Sequence, residues 1–300
     1  MAHLEDALEL RPLLFSIAYR MLGSVADAED IVQAAYLRYL DYGKRGHDAE
    51  SPKALLTAIT TRLAIDQLRS ARVQRETYIG PWLPEPLLTS NEPDVAEAAV
   101  TSDSLSMAFL VLLETLSPVE RAVFLLREVF AYDYDDIAGI VGKSQANCRQ
   151  LAARARRHID DGRRRFEVDS AQRAKLADRF FDAAEHGALG PLVEMLAGDV
   201  AFYGDGGRNG RGLRQPVFGR ERVQRVVDGI FRAYHRVGAR FQRCEVNGGP
   251  GLLAFDAEGG LINVLTVDVH DDQICTVRSV INPDKLGHLG LPLSLFAQRG

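Results

Sequence analysis

Asn147, Gln150, Arg154 and Arg157 are three, four and three residues apart, so a helix carrying them presents all four on one face. These side-chain types make paired hydrogen bonds to base edges in a DNA major groove, arginine to guanine and the amides to adenine. Gln145 and Arg149, on the same stretch, are added as candidate DNA contacts. Arg156, Arg163, Arg164 and Arg165 suit phosphates, which set a docking register without reading sequence. Cys148, Leu151, Ala152, Ala155 and Ile159 fall on the opposite face and are small and apolar, so Cys148 reads as a core residue rather than a redox sensor. The competing explanation is a helical hairpin with a solvated basic face.

A short helix must precede this one to hold it. Tyr134, Ile137, Ala138 and Val141 form its apolar stripe, Asp133 begins it and Gly142 ends it. Lys143 follows, and Ser144 is placed to cap the next helix, which completes a helix-turn-helix. Upstream, Ser117-Pro118 predicts a helix with Ala122, Val123, Leu126 and Val129 inside. Before it, helical periodicity runs from Ser102 through Leu105, Phe109, Leu112, Leu113 and Leu116.

The N-terminal part has the same texture. Two amphipathic helices are predicted between Pro12 and Leu40, broken at Gly23-Ser24 with Ser24 as N-cap. A polar loop from Tyr42 to Pro52 leads to a third helix over about 53–72, with Leu56, Ile59, Leu63 and Leu68 inward. Arg62, Arg69, Arg72 and Arg75 make a basic edge on it, suited to phosphates or to plain solvation.

The whole-chain figures bound these readings. With 300 residues, the length prior is about two domains or three. Hydrophobic residues at 46% and charged residues at 26% describe an ordinary globular chain. A net charge of -5 gives no support to nucleic-acid binding as an average, yet Lys143 to Arg165 holds eight Lys/Arg against Asp160 and Asp161. Cys148, Cys244 and Cys275 are too few and too scattered for a disulfide framework or a CxxC metal site, so neither metal nor cofactor is expected and a reducing cytoplasm fits. The first ten residues lack a basic n-region and an apolar h-region, and no apolar run approaches bilayer length, so no membrane role is expected.

Between the two helical parts lies Gly80-Pro81-Trp82-Leu83-Pro84-Glu85-Pro86-Leu87, with the only tryptophan of the chain. Three prolines force a stiff, polyproline-like strip. A large ring in such a place either seeks a dry surface or decorates a rigid spacer, and the residues alone leave both open. Past Arg165, helices over about 171–185, 189–196 and 220–234 are followed by strand-like runs at 241–246, 251–255, 261–269 and 274–281. This predicts an α+β domain of helices over an antiparallel sheet. Its glycine-rich loop, 204–212, lacks the lysine and Ser/Thr of a phosphate loop. Tyr203, Asp205, Asp268, His270, Arg278 and Asn282 are polar candidates for a pocket, and they assemble no nucleophile with its base.

Taken in this order, the chain resembles a bacterial extracytoplasmic-function sigma factor of the subgroup with a fused C-terminal SnoaL-like domain. AYRMLGSVADAEDIVQ (18–33) is similar to the core-binding part of sigma region two, RLAIDQLR (62–69) to its promoter-binding helix, and NCRQLAARARR (147–157) to the recognition helix of region four. WLPEP (82–86) matches the subgroup's linker motif and NPDK (282–285) its partner motif, while the Asp-Gly-Gly-Gly-basic motif reads DGGRN (205–209), with Arg208 where glycine is usual.

The resemblance implies two all-α sigma domains, a region 2 helical bundle and a region 4 helix-turn-helix, followed by an α+β SnoaL-like cone-shaped domain with a curved antiparallel sheet. The expected boundaries are 1–76 for region two, 77–101 for the linker, 102–166 for region four and 167–300 for the SnoaL-like domain. It implies that Asp30 and Gln33 dock on the β′ clamp helices of core RNA polymerase, with the β flap as a further contact. Arg62, Arg69 and Arg72 would meet the opened promoter, and the region-four helix would read duplex DNA. Trp82, Leu83, Pro84, Glu85 and Pro86 would contact the C-terminal domain near Asp205, Gly206 and Gly207 and near Asn282, Pro283, Asp284 and Lys285. Chemistry would stay with the polymerase, and the free chain is expected to be a monomer, with a small-molecule ligand in the C-terminal pocket left open. Two other readings remain: a one-component, ligand-responsive helix-turn-helix regulator, and a SnoaL-like isomerase or hydrolase.

Overall fold

The computed structural model describes residues 7–47, 49–75, 78–89, 102–163, 170–187, 189–207 and 212–291, with backbone alone at 71–75, 102, 103, 162, 163, 170 and 189. The chain divides into two compact units, one of residues 1–76, 92–105 and 109–162 and the other of 77–91, 106–108 and 163–300.

The first unit is helical. Helix α1 (Arg11–Leu22) stops at Gly23, whose φ of 66° is a left-handed conformation open to glycine, and α2 (Val25–Lys44) starts where Ser24 Oγ accepts the Asp27 N–H at 3.1 Å. Helix α3 (Pro52–Arg75) buries Leu56, Thr57, Thr60, Thr61, Ala64, Ile65 and Leu68, while Ile59 and Leu63 are only half-buried. The inward face is therefore rotated from the one expected, because α3 is covered by α1 and α2 and also by the helices Pro118–Phe124 and Tyr134–Val141. After a 3-10 turn (Ser102–Leu105) come α4 (Met107–Leu113) and α5 (Pro118–Phe124). Ser117 and Glu120 cap α5 reciprocally and Pro118 occupies its first turn, as the Ser-Pro pair predicts. A π turn (Leu125–Val129) continues it into α6 (Tyr134–Val141) and α7 (Gln145–Arg163). Among the described residues, two arginines lie inside this unit: Arg20 is 0% exposed and Arg121 3%.

The second unit has helices α8 (Ser170–Glu185), α9 (Leu189–Met195) and α10 (Arg220–Arg236) packed on strands β1 (Leu196–Asp205), β2 (Val217–Phe218), β3 (Arg240–Val246), β4 (Gly249–Phe255), β5 (Leu261–His270) and β6 (Gln273–Val280). Phe180 and Phe181 of α8 and Val223, Val227 and Phe231 of α10 form its core with Leu265, Val267 and Val277 of the sheet. Strand order is β2-β1-β6-β5-β4-β3. Two-residue turns at Asn247-Gly248 and Asp271-Asp272, with positive φ at all four residues, force the β3–β4 and β5–β6 pairs to be antiparallel. No hairpin joins β1 to β6, and this pair runs parallel, so the expected antiparallel sheet is an open mixed one. Helices packed on a mixed sheet make an α+β domain. Residues 81–87 form no regular element, and Leu88 then bridges antiparallel to Val246 at the edge strand β3.

Candidate functional site

The helix-turn-helix is built as its capping residues dictate. Gly142, at φ 65°, returns its N–H to Ala138 O, and Lys143 N–H reaches the same carbonyl at 3.1 Å. Ser144 Oγ accepts the Asn147 N–H at 3.3 Å and starts α7. Ile137 and Ile140 of α6 pack with Cys148 and Ala152 of α7 and with Val123 and Leu126. Ile140 is the inward residue, while Tyr134, Ala138 and Val141 of the predicted stripe pack only partly. Burial raises the Cys148 thiol pKa, which suits a core role.

Asn147, Arg149, Gln150, Arg154 and Arg157 are all exposed on α7, and Gln145 is half-buried. Some are already engaged within the unit: Gln145 Nε2 donates to Asp135 at 2.7 Å, Arg149 to Gln145 Oε1 at 3.2 Å, and Arg154 pairs with Glu120 at 2.5 Å. Arg163 is described by backbone alone, and Arg164 and Arg165 lie outside the described residues.

On α2, Asp30 and Gln33 are exposed and share a face with Leu37, which is 61% exposed. A leucine so exposed escapes sequence reading because helical periodicity alone does not separate it from core positions. On α3, Arg69 pairs with Asp66 at 3.2 Å, and the Arg72 side chain is outside the described atoms. Arg62 is not held out for phosphate: its Nε donates to Ile140 O at 2.8 Å and its Nη2 to Gly139 O at 2.7 Å.

In the second unit the strip meets both motif stretches. Asp205, 1% exposed at the end of β1, accepts at Oδ2 from the Leu83 N–H at 2.9 Å and from Lys285 Nζ at 2.7 Å. Its Oδ1 accepts from the Tyr78 hydroxyl and from Gly207 N–H at 3.2 Å. Lys285 also donates to Leu83 O and lies 4.1 Å from the Trp82 ring centroid and 5.1 Å from that of Tyr78. A buried ammonium is thus offered a carboxylate, a carbonyl and two aromatic faces. Asn282 donates to the Tyr78 hydroxyl at 3.1 Å and caps the 3-10 turn Pro283–Lys285 by accepting the Asp284 N–H. Pro283 is half-buried and Asp284 exposed, so their part is to form the turn that aims Lys285 inward.

The second half of the strip is held by the sheet edge. Leu87 N–H donates to Asn247 Oδ1 at 3.0 Å and Asn247 N–H returns to Leu87 O at 2.8 Å. Thr89 N–H donates to Glu245 O, and Thr89 Oγ1 to Glu245 Oε1 at 2.6 Å. His288 Nε2 donates to Pro86 O at 2.7 Å, with Nδ1 3.8 Å from the Glu85 carboxylate. Leu83, Pro84, Glu85, Pro86 and Leu87 are all buried, and Trp82 is half-buried. Tyr78, Asn247, Thr89 and His288 complete the site, and only Asn247 carried a sequence signal, that of a hairpin turn.

Burial, and then the bond to Asp205, raise the Tyr78 phenol above its ordinary pKa, so it stays a donor at neutral pH. Gly207 has a φ of 71°, and a Cβ there would lie 2.6 Å from Asn282 Cγ. Gly207→Ala is expected to push Asn282 off Tyr78 and to cost about 1–3 kcal/mol of stability, measured by denaturant unfolding. Arg208 and Asn209 lie outside the described residues.

Residues 7–73 match the Sigma-70 region 2 family and residues 106–159 the Sigma-70, region 4 family. The ECF RNA polymerase sigma factor SigJ of Mycobacterium tuberculosis is 36% identical over 296 residues, which cover 95% of this chain and 92% of that protein. The probable ECF RNA polymerase sigma factor SigI of the same organism is 33% identical over 281 residues, 93% of each chain. The crystal structure of M. tuberculosis SigJ aligns with a TM-score of 0.76 at 33% identity, covering 97% of this chain and 99% of that one. With region two, a helix-turn-helix region four and a SnoaL-like domain in that order, the chain belongs to the extracytoplasmic-function RNA polymerase sigma factors.

Proposed function

We propose that this chain binds core RNA polymerase and directs promoter-specific initiation, and that its SnoaL-like domain controls that activity in cis by gripping the linker strip. The observation that carries the control is the seat itself: Asp205 and Lys285 bind the strip backbone at Leu83 directly. Asp30, Gln33 and Leu37 on one face of α2 offer a mixed polar and apolar surface to the β′ clamp helices. Asn147, Gln150, Arg154 and Arg157 supply base and phosphate contacts in the major groove. The chain acts by positioning, and bond making stays with the polymerase. Asp205 and Asp268, the carboxylates an isomerase or hydrolase would use, are each engaged by a cation, Lys285 and Arg278 respectively.

Run-off transcription with purified core polymerase tests the reading. The intact chain is expected to give promoter-dependent product. Gln150→Ala is expected to weaken it by a base contact of about 1–3 kcal/mol, and Trp82→Ala to change it through the strip. Sequence-specific duplex binding without any stimulation of core polymerase would instead favour a one-component regulator.

A further inference from the structure

Arg149 differs from the other arginines of α7 whose side chains are described. Arg154 and Arg156 pair with Glu120 and Glu128, so a DNA contact by either would have to break an ion pair. Arg157 folds back on its own helix, its Nε donating to Ala153 O at 3.3 Å. Arg149 is exposed, and among the described residues its partners are uncharged. Its Nη2 donates to Gln145 Oε1 at 3.2 Å, one turn earlier on α7, and its guanidinium lies 5.3 Å from the Tyr134 ring centroid.

Both partners are themselves fixed. Gln145 Nε2 donates to the Asp135 carboxylate at 2.7 Å, which only the NH2 side of the amide can do, so the amide oxygen is turned to Arg149. Tyr134 opens α6, and Arg127 lies 4.9 Å from the same ring centroid. Arg127 Nη1 in turn donates to Tyr132 O at 2.9 Å and to Asp133 Oδ1 at 3.3 Å. Helices α6 and α7 therefore share a brace that runs from Asp135 through Gln145 and Arg149 to Tyr134. It meets α7 near its N-terminus, the end of a recognition helix that faces base edges.

We infer that Tyr134 is a positioning residue for sequence reading: with Gln145 it holds the Arg149 guanidinium ready for a base edge without neutralising it. The inference rests on the reading of α7 as the promoter-reading helix. Arginine reads guanine through paired donors to O6 and N7, which requires the plane of the guanidinium to be set. A carboxylate partner would set the plane too, but DNA would have to displace it. A ring face and an amide oxygen supply orientation and leave the charge for DNA. Gln145 then braces the reader and does not itself touch a base.

The test is a base-preference profile of the full chain, alone and with core RNA polymerase, on a synthetic duplex pool with a randomised window sequenced before and after binding. Arg149→Gln identifies the position that Arg149 reads, as the one whose guanine preference is lost. Tyr134→Leu keeps an apolar side chain and removes the ring face. It is expected to lower the preference at that position about two- to fivefold, the size of an exposed cation–ring contact, and to leave the other positions unchanged. Tyr134→Phe keeps the ring and should match wild type, while Gln145→Leu should lower the same position. In an Arg149→Gln chain, Tyr134→Leu should have no further effect there. Uniform weakening at every position in Tyr134→Leu would make the ring a support of the fold and overturn the inference, as would an unchanged profile. A wild-type chain with no base preference in either condition would overturn the promoter-reading assignment of α7, and the inference with it.

Discussion

Asp205→Ala is expected to destabilise the strip's seat by about 3–5 kcal/mol, the range for removing one partner of a buried ion pair. The loss is large because one carboxylate does four jobs. It neutralises Lys285, receives the Leu83 N–H, and anchors Tyr78 and the Gly207 turn. Without it, Lys285 is left 6% exposed with a carbonyl and two rings, which do not compensate a full charge. Lys285→Met should cost less, since three donors still surround Asp205 when the ammonium is gone. The double replacement should cost less than the sum, because the second change no longer strands a charge. Trp82 is the only tryptophan, so its fluorescence during denaturant unfolding reports the strip itself. In Asp205→Ala the Trp82 transition should shift to lower denaturant than the far-ultraviolet helix signal. Coincident transitions, unmoved from wild type, would contradict the assignment.

Arg20→Ala should have a comparable effect in the helical unit, about 2–5 kcal/mol, the range for emptying a buried large side-chain site. Arg20 is fully buried, and burial lowers its pKa to about 10. Its Nε donates to Ser104 O at 3.1 Å and its Nη2 to Ser104 Oγ at 3.2 Å, while Nη1 bonds Ser16. The guanidinium also lies 5.7 Å from the Phe130 ring centroid. One side chain on α1 thus ties region two to the entry of region four at Ser104 and to Phe130, just after its π turn. Alanine would leave a cavity and remove three acceptors' donors at once. Arg20→Lys should recover only part of the loss, because a single ammonium cannot reproduce the fork. Thermal unfolding followed by circular dichroism measures both, and a change within about 0.5 kcal/mol for alanine, the range of an ordinary surface substitution, would show that the cluster is not a support.

Most helix boundaries were legible because their signals are local. Ser24, Ser117 and Ser144 cap the helices they precede, and Gly23 and Gly142 end those before them. The inner stripe of α3 was not legible, since Thr57, Thr60 and Thr61 look polar and are buried only because a second group of helices covers them. Arg20 was hidden for the same reason, its partners at Ser104 and Phe130 being remote in sequence. The parallel β1–β6 pair joins strands nearly seventy residues apart, and no turn chemistry announces it. For the strip, the prolines and Trp82 predicted its shape, and the motif resemblance brought Asp205, Asn282 and Lys285 to it. Tyr78, Thr89 and His288 belong to the site through folding alone.

Trp82 to Thr89 is a docked part of the C-terminal domain and not a spacer. Amide hydrogen exchange at Leu83, Leu87 and Thr89 in the intact free chain tests this most directly, since their N–H groups bond Asp205, Asn247 and Glu245. Protection comparable to that of β3 and β4 is expected, with Leu83 losing it in Asp205→Ala. Exchange of all three amides at the rate of an unprotected chain would contradict it.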